Sequence, residues 1–250
     1  MDRQVIAMAC RISERDEQGG LGAQALGQRL GGRVIGTPGG ARETSWEQDL
    51  AEGRGCLLEA AGQLDDAFEA GHVPVLLAGG CEIAISTLPL VLRRHPEAFV
   101  LWLDAHPDYH TPATTTSGFL GGMGLAGACG LWDTGHGDGV DPARVVMFGV
   151  RDVDGPERVL LETSGVGVVE RPGQLADLLD GRQVFVHLDL DVLDPEVLPA
   201  SFPAPGGLDH EALRRLLDLV AGAADVVGAE VTSAHADHVD AIAATLEPLL

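Results

Sequence analysis

Two acidic clusters give this sequence its chemistry. The apolar run Phe99-Val-Leu-Trp-Leu ends in Asp104-Ala-His106-Pro-Asp108-Tyr-His110. The run Val184-Phe-Val-His-Leu ends in Asp189-Leu-Asp191-Val-Leu-Asp194-Pro. In an extended segment, residues two apart share a side, so Asp104, His106 and Asp108 project together, as do Asp189 and Asp191. An unpaired carboxylate at the end of a buried strand costs several kcal/mol. Two such ends in one chain call for a compensating divalent cation or a pair of them. The plainer reading is a set of turn and cap aspartates, each cluster being followed by proline. Mixed Asp and His donors suit Mn²⁺, Fe²⁺, Co²⁺ or Zn²⁺ better than Ca²⁺. Bridging aspartates would set two ions about 3.5–4 Å apart around a shared hydroxide.

These clusters need strands to carry them. Apolar runs recur at Val5–Cys10, Arg33–Gly36, Val73–Ala78, Phe99–Asp104, Val145–Val150, Val166–Val169, Val184–Asp191 and Val226–Val231. Most are continuous, the pattern of strands buried on both faces of a parallel sheet. Helical spacing predicts helices over Glu47–Ala70, Ile83–Arg94, Pro156–Thr163, His210–Ala221 and Asp240–Leu249. The alternation implies a three-layer αβα domain with a mostly parallel sheet. The glycine-rich stretches Gly19–Gly32 and Gly121–Gly139 read as loops, and no linker divides residues 1–250. In such folds ligands bind beyond the carboxyl ends of the strands, where both clusters stand.

Composition narrows the partners. With 38 acidic residues against 16 basic ones, all arginine, the formal charge is −22. That field repels phosphate backbones and anionic membranes, so neither nucleic acid nor membrane is expected. Four scattered cysteines (Cys10, Cys56, Cys81, Cys129) show no paired spacing, which reads as free thiols in a reducing cytoplasm. A homo-oligomer is compatible with the sequence.

The stretch Gly79-Gly80-Cys81-Glu82 turns from a strand into a helix pattern. Cys81 reads either as a buried apolar thiol or as a metal ligand. Glu82 reads as a helix-start carboxylate favoured by the dipole. Cys129, His136 and His187 read as packing or loop positions, and His235 with His238 as a weak metal signal.

The motifs together resemble the arginase (ureohydrolase) family. Asp104 to Gly118 is similar to its second metal motif and substrate loop, Asp189 to Pro195 to its third metal motif, and Phe148 to Asp154 to its substrate-binding loop. The resemblance implies an eight-stranded parallel sheet, a dinuclear manganese centre (two Mn²⁺, the first site weak) and hydrolysis of a guanidino amino acid. Carried over, Asp104 and Asp189 bridge the metals. His106 and Asp191 complete one site, and Asp108 and Cys81 the other. Asp108 also shuttles the proton. Ser117 and His110 lie in the loop that binds the amino-acid end, Asp154 matches the α-ammonium ligand, and Glu230 matches the glutamate that receives the guanidinium.

Four departures stand out: Cys81 on a metal-ligand histidine, His110 and Phe119 on asparagines, and Gly121 on a histidine. A subgroup acting on Nω-hydroxy-L-arginine, releasing L-ornithine and hydroxyurea, shows much the same pattern, with Phe119-Leu-Gly-Gly-Met123 and Gly127-Ala-Cys129-Gly-Leu-Trp132-Asp133 as it stands here. The alternatives are an arginase or another guanidino ureohydrolase, and an inactive metal-binding homologue.

Overall fold

The computed structural model describes residues 2–137 and 139–250; position 138, inside the Gly121–Gly139 segment, lies outside them. Eight parallel strands form one sheet in the order β2-β1-β3-β8-β7-β4-β5-β6. They are β1 (Arg3–Met8), β2 (Arg33–Ile35), β3 (Val73–Leu77), β4 (Phe99–Leu103), β5 (Val145–Phe148), β6 (Gly167–Val169), β7 (Gln183–Asp189) and β8 (Asp225–Thr232). Each falls on an expected apolar run. The helices are α1 (Gln18–Arg29), α2 (Trp46–Glu69), α3 (Ala84–Arg94), α4 (Gly124–Ala128), α5 (Gly155–Ser164), α6 (Pro172–Leu179), α7 (His210–Ala223) and α8 (Val239–Thr245).

Side-chain alternation divides the core into two layers. On β4, Val100 and Trp102 join the core under α2, α3 and α4, with Leu57, Leu64, Ile85, Leu88 and Leu125. Leu101 and Leu103 join the opposite core under α1, α6, α7 and α8, with Leu26, Leu175, Leu217 and Ile242. Both faces of the central strands are covered, which is why their sequences read as continuous apolar runs. Among the described residues, no helix is long and apolar enough to cross a membrane.

Two sequence expectations are corrected. The segment Gly19–Gly32 is mostly helix α1, not a loop. A Cβ on Gly22 would stand 1.7 Å from the Ala234 carbonyl oxygen, and one on Gly27 2.5 Å from Ala7 Cβ. These glycines serve close approach of the helix to the chain after β8 and to β1. Part of the second glycine-rich stretch likewise forms α4. Second, Cys10 and Cys56 are joined by a disulfide, with Cα atoms 6.2 Å apart, tying the end of β1 to α2. The cysteine spacing hid this because the partners are brought together only by the packing of α2. Cys81 and Cys129 are free.

The strand order places the site. β3 and β4 follow each other in the chain but are separated in the sheet by β8 and β7. The carboxyl ends of β3, β8, β7 and β4 therefore face one crevice at a topological switch.

Candidate metal centre

Four adjacent strand ends deliver the polar side chains. β3 leads to Cys81, β4 to Asp104, His106 and Asp108, β7 to Asp189 and Asp191, and β8 to Thr232 and Ser233. Cys81, Asp104, Asp108 and Asp189 are all buried, and all line the same cavity as His106 and Asp191. Every metal ligand expected from the sequence is thus brought to one place.

In Asp104 and Asp189 one carboxylate oxygen serves the turn and the other faces the cavity. Asp104 Oδ1 accepts the His106 N–H at 2.7 Å, and Asp189 Oδ1 accepts the Asp191 N–H at 2.8 Å. The second oxygen of each points inward. Asp189 Oδ2 receives Cys81 Sγ at 2.8 Å, the Thr232 hydroxyl at 2.9 Å and the Ser233 hydroxyl at 2.6 Å. Asp104 Oδ2 lies 3.7 Å from Cys81 Sγ. His106 Nδ1 bonds Asp191 Oδ2 at 2.9 Å, and Asp191 Oδ1 takes the Ala105 N–H at 3.1 Å. Asp108 and Ser233, at φ 48° and 58°, are the two non-glycine residues with positive φ among the described residues. That backbone costs on the order of 1 kcal/mol each, and both residues belong to this site.

Charge crowding gives the centre its character. Burial, then the charges of Asp191 and Asp108, push the Asp104 carboxyl well above the usual range, with His106 opposing. Asp108 is likewise raised, chiefly by burial, with His106 pulling down and Asp189, Glu157 and Asp191 pushing up. Burial and Asp191 raise Asp189. The Cys81 thiol is raised by burial and by Asp189, Asp108 and Asp104. For His106, burial favours the neutral ring but Asp104 and Asp191 outweigh it, and the imidazolium is held up to about 12. One imidazolium does not balance four carboxylates. The donor set fits divalent cations, which supply the missing positive charge. Asp104, His106 and Asp191 place donor atoms within 4.8 Å of one another, as do Cys81, Asp104 and His187.

The other end of the cavity, of about 370 Å³, is lined by His110, Ser117, Phe119, Asp154 and Glu157. His110 Nε2 stands 3.2 Å from Asp154 Oδ2 and 3.9 Å from Glu157 Oε2. Asp154 also caps α5, accepting the Glu157 N–H at 3.0 Å. Phe119 packs on Phe202 with centroids 4.8 Å apart, and the Arg15 guanidinium sits 5.5 Å from the Phe119 centroid. These three form an aromatic and cationic rim.

An Arginase family profile matches residues 45–245. The chain belongs to the arginase family. It is 36% identical over 221 residues to an N(omega)-hydroxy-L-arginine amidinohydrolase of Streptomyces lavendulae, covering 86% of this chain and 80% of that protein. It is 31% identical over 192 residues to the arginase of Bacillus caldovelox, covering 68% and 64%. The solved structure of that arginase superposes with a TM-score of 0.82 at 23% identity, covering 99% of this chain and 97% of the other. Proclavaminate amidino hydrolase of Streptomyces clavuligerus gives 0.70 at 24%, covering 99% and 89%. The family is binuclear-metal dependent, and this chain carries the donors for that.

One expected site residue is placed elsewhere. Glu230, expected to receive the guanidinium, does not line the cavity. It is fully buried, and its carboxylate is engaged by His187 Nδ1 at 2.7 Å and the Thr87 hydroxyl at 2.6 Å. The sequence alone did not mark His187, Thr232, Ser233 or Glu157 as site residues. Nor did it mark Arg151, whose guanidinium donates to the carbonyls of Asp191, Val192, Leu193, Ala204 and Gly149 and so fixes the loop carrying Asp191.

Proposed function

We propose that this protein is a metal-dependent amidinohydrolase that cleaves Nω-hydroxy-L-arginine to L-ornithine and hydroxyurea. The observation that carries the reading is one cavity with a crowded carboxylate centre at one end and the Ser117, His110 and Asp154 cluster at the other. A guanidino carbon belongs at the first end and an amino-acid head at the second. The substrate choice draws on the Streptomyces lavendulae relative and on Cys81, Phe119 and Gly121, which depart from the family's arginase pattern. An N-hydroxyguanidine is less basic than a guanidine, so more of it binds neutral and open to attack.

Cys81, Asp104, Asp108 and Asp189 would hold one ion, and Asp104, His106, Asp189 and Asp191 the other, with Mn²⁺ suited to the oxygen-rich His106 position. When bound, the pair supplies a water of lowered pKa and hence hydroxide near neutral pH. The protein does the rest. The N–H of Asp191 and the hydroxyls of Thr232 and Ser233 hold Asp189 in place. Asp108, locked at positive φ, orients the attacking water, takes its proton and returns it to the leaving nitrogen as the C–N bond breaks. Asp154 faces the α-ammonium, and Ser117 the carboxylate. The Phe119–Phe202 pair, with the Phe202 ring 6.5 Å from the His106 ring centroid to centroid, forms an apolar wall of the cavity between its two ends.

The test is kcat/KM for Nω-hydroxy-L-arginine, L-arginine and agmatine under one metal condition. The first should exceed the others by at least tenfold; equal or better turnover of L-arginine refutes the substrate assignment.

A further inference from the structure

The row of residues behind Cys81 has no part in the mechanism above, yet it is built around a single imidazole. In the sheet, Trp102 pairs with His187, and His187 with Glu230, on three adjacent strands. The His187 ring lies flat on Trp102, with centroids 3.5 Å apart and planes 4° from parallel. Its Nδ1 faces Glu230 Oε1 at 2.7 Å, and Thr87 fixes the other carboxylate oxygen at 2.6 Å. The ring plane and the Nδ1 hydrogen bond are therefore both set, which aims Nε2 at the centre. Nε2 stands 3.3 Å from Cys81 Sγ, and His187, Cys81 and Asp104 each place one donor atom within 4.8 Å of the others.

This is the arrangement of a metal-ligating histidine, whose second nitrogen donates to a carboxylate that fixes tautomer and ring. The spacing agrees. With metal–sulfur near 2.3 Å and metal–nitrogen near 2.0–2.1 Å, two neighbouring donors of one ion stand roughly 3.1–3.5 Å apart. The polar row also needs a reason. A histidine and a glutamate, both wholly buried on central strands, are an expensive way to support a packed thiol.

We infer that His187 Nε2 is a ligand of the first metal position, replacing with a nitrogen from β7 the one lost where the chain carries Cys81. Glu230 is then a positioning residue for that ligand. Sulfur and imidazole on one ion favour Zn²⁺ or Co²⁺ over Mn²⁺ there. The inference rests on the metal-centre reading above.

Titration of the metal-free, full-length protein with Co²⁺ tests it. Bound cobalt per chain and the thiolate-to-cobalt charge-transfer absorption are read together. The wild-type chain should bind two ions and show the band. His187→Asn keeps an N–H for Glu230 but removes Nε2. It should weaken the first ion at least 100-fold and leave the His106 ion in place. Glu230→Gln should weaken the first ion about 10–100-fold while keeping the band at saturation. Two ions bound by His187→Asn with unchanged affinity and band would overturn the inference and leave the metal-centre reading standing. A wild-type chain that takes up no cobalt would overturn both. X-ray absorption at the cobalt edge of the wild-type protein needs no variant: two imidazoles per metal pair are expected, and one would refute His187 as a ligand.

Discussion

Replacing Glu82 by glutamine should flatten the dependence of stability on alkaline pH. Glu82 follows Cys81 and is wholly buried. Its Oε1 accepts the Ser13 N–H at 3.1 Å, while Oε2 has no partner. Burial first, and then the neighbouring Glu14 charge, raise its carboxyl from 4.5 to about 8. The folded protein thus binds this proton more tightly than the unfolded chain. The stability associated with the neutral carboxyl is complete below about pH 4.5 and is lost as pH rises through about 8. At roughly 1.4 kcal/mol per pKa unit, ionised Glu82 costs on the order of 4–5 kcal/mol. Glutamine matches the shape and cannot ionise. Urea unfolding of metal-free wild type and Glu82→Gln at intervals from pH 5 to 9 measures the difference directly. The two should have similar stability at pH 5, and the variant should be more stable by several kcal/mol at pH 9. Curves that stay parallel across this range would show that Glu82 ionises freely, and the reasoning from its burial would be wrong.

Other perturbations address other parts of the molecule. Reducing the Cys10–Cys56 bond, or replacing both residues with serine, releases a loop closed at a sequence separation of 46; chain entropy puts the loss at about 4 kcal/mol, read by urea unfolding with and without reductant. Asp108→Asn should lower kcat by 100-fold or more, since it removes the proton carrier, whereas unchanged kcat would exclude that role. Ser117→Ala and Asp154→Asn should raise KM for the amino-acid substrate with smaller effects on kcat. Cys81→His places a harder donor at the first site and should tighten Mn²⁺ and raise activity on L-arginine, measured by metal titration and ornithine release.

The strands were legible because burial on both faces leaves unbroken apolar runs. The aspartates were legible because charge at the end of such a run has few uses. Helix α1 was not, because its glycines resemble a loop until Ala234 and Ala7 are seen pressed against them. The disulfide was hidden for a related reason: Cys10 and Cys56 meet only across a tertiary contact. Glu230 was reached only through the family resemblance, and its partners, His187 and Thr87, depend on which neighbours face it. The register that sets His187 opposite Glu230 cannot be read from either strand alone. A histidine in the otherwise apolar run Val184–Leu188 was the available signal. Ser233 gave none, its hydroxyl reaching Asp189 only through a backbone turn at positive φ.

Hydrolysis of an N-hydroxyguanidino amino acid at this site should require the metal ions that Cys81, Asp104, His106, Asp108, Asp189 and Asp191 would hold. Hydroxyurea and ornithine released from Nω-hydroxy-L-arginine should be quantified with chelator-treated protein, and again after Mn²⁺ or Co²⁺ is restored. Equimolar products are expected from the metal-restored enzyme, and at least a 100-fold loss in the metal-depleted one. Full turnover without metal, or no turnover of this substrate by protein shown to hold two ions per chain, would refute metal-dependent hydrolysis of an N-hydroxyguanidino amino acid.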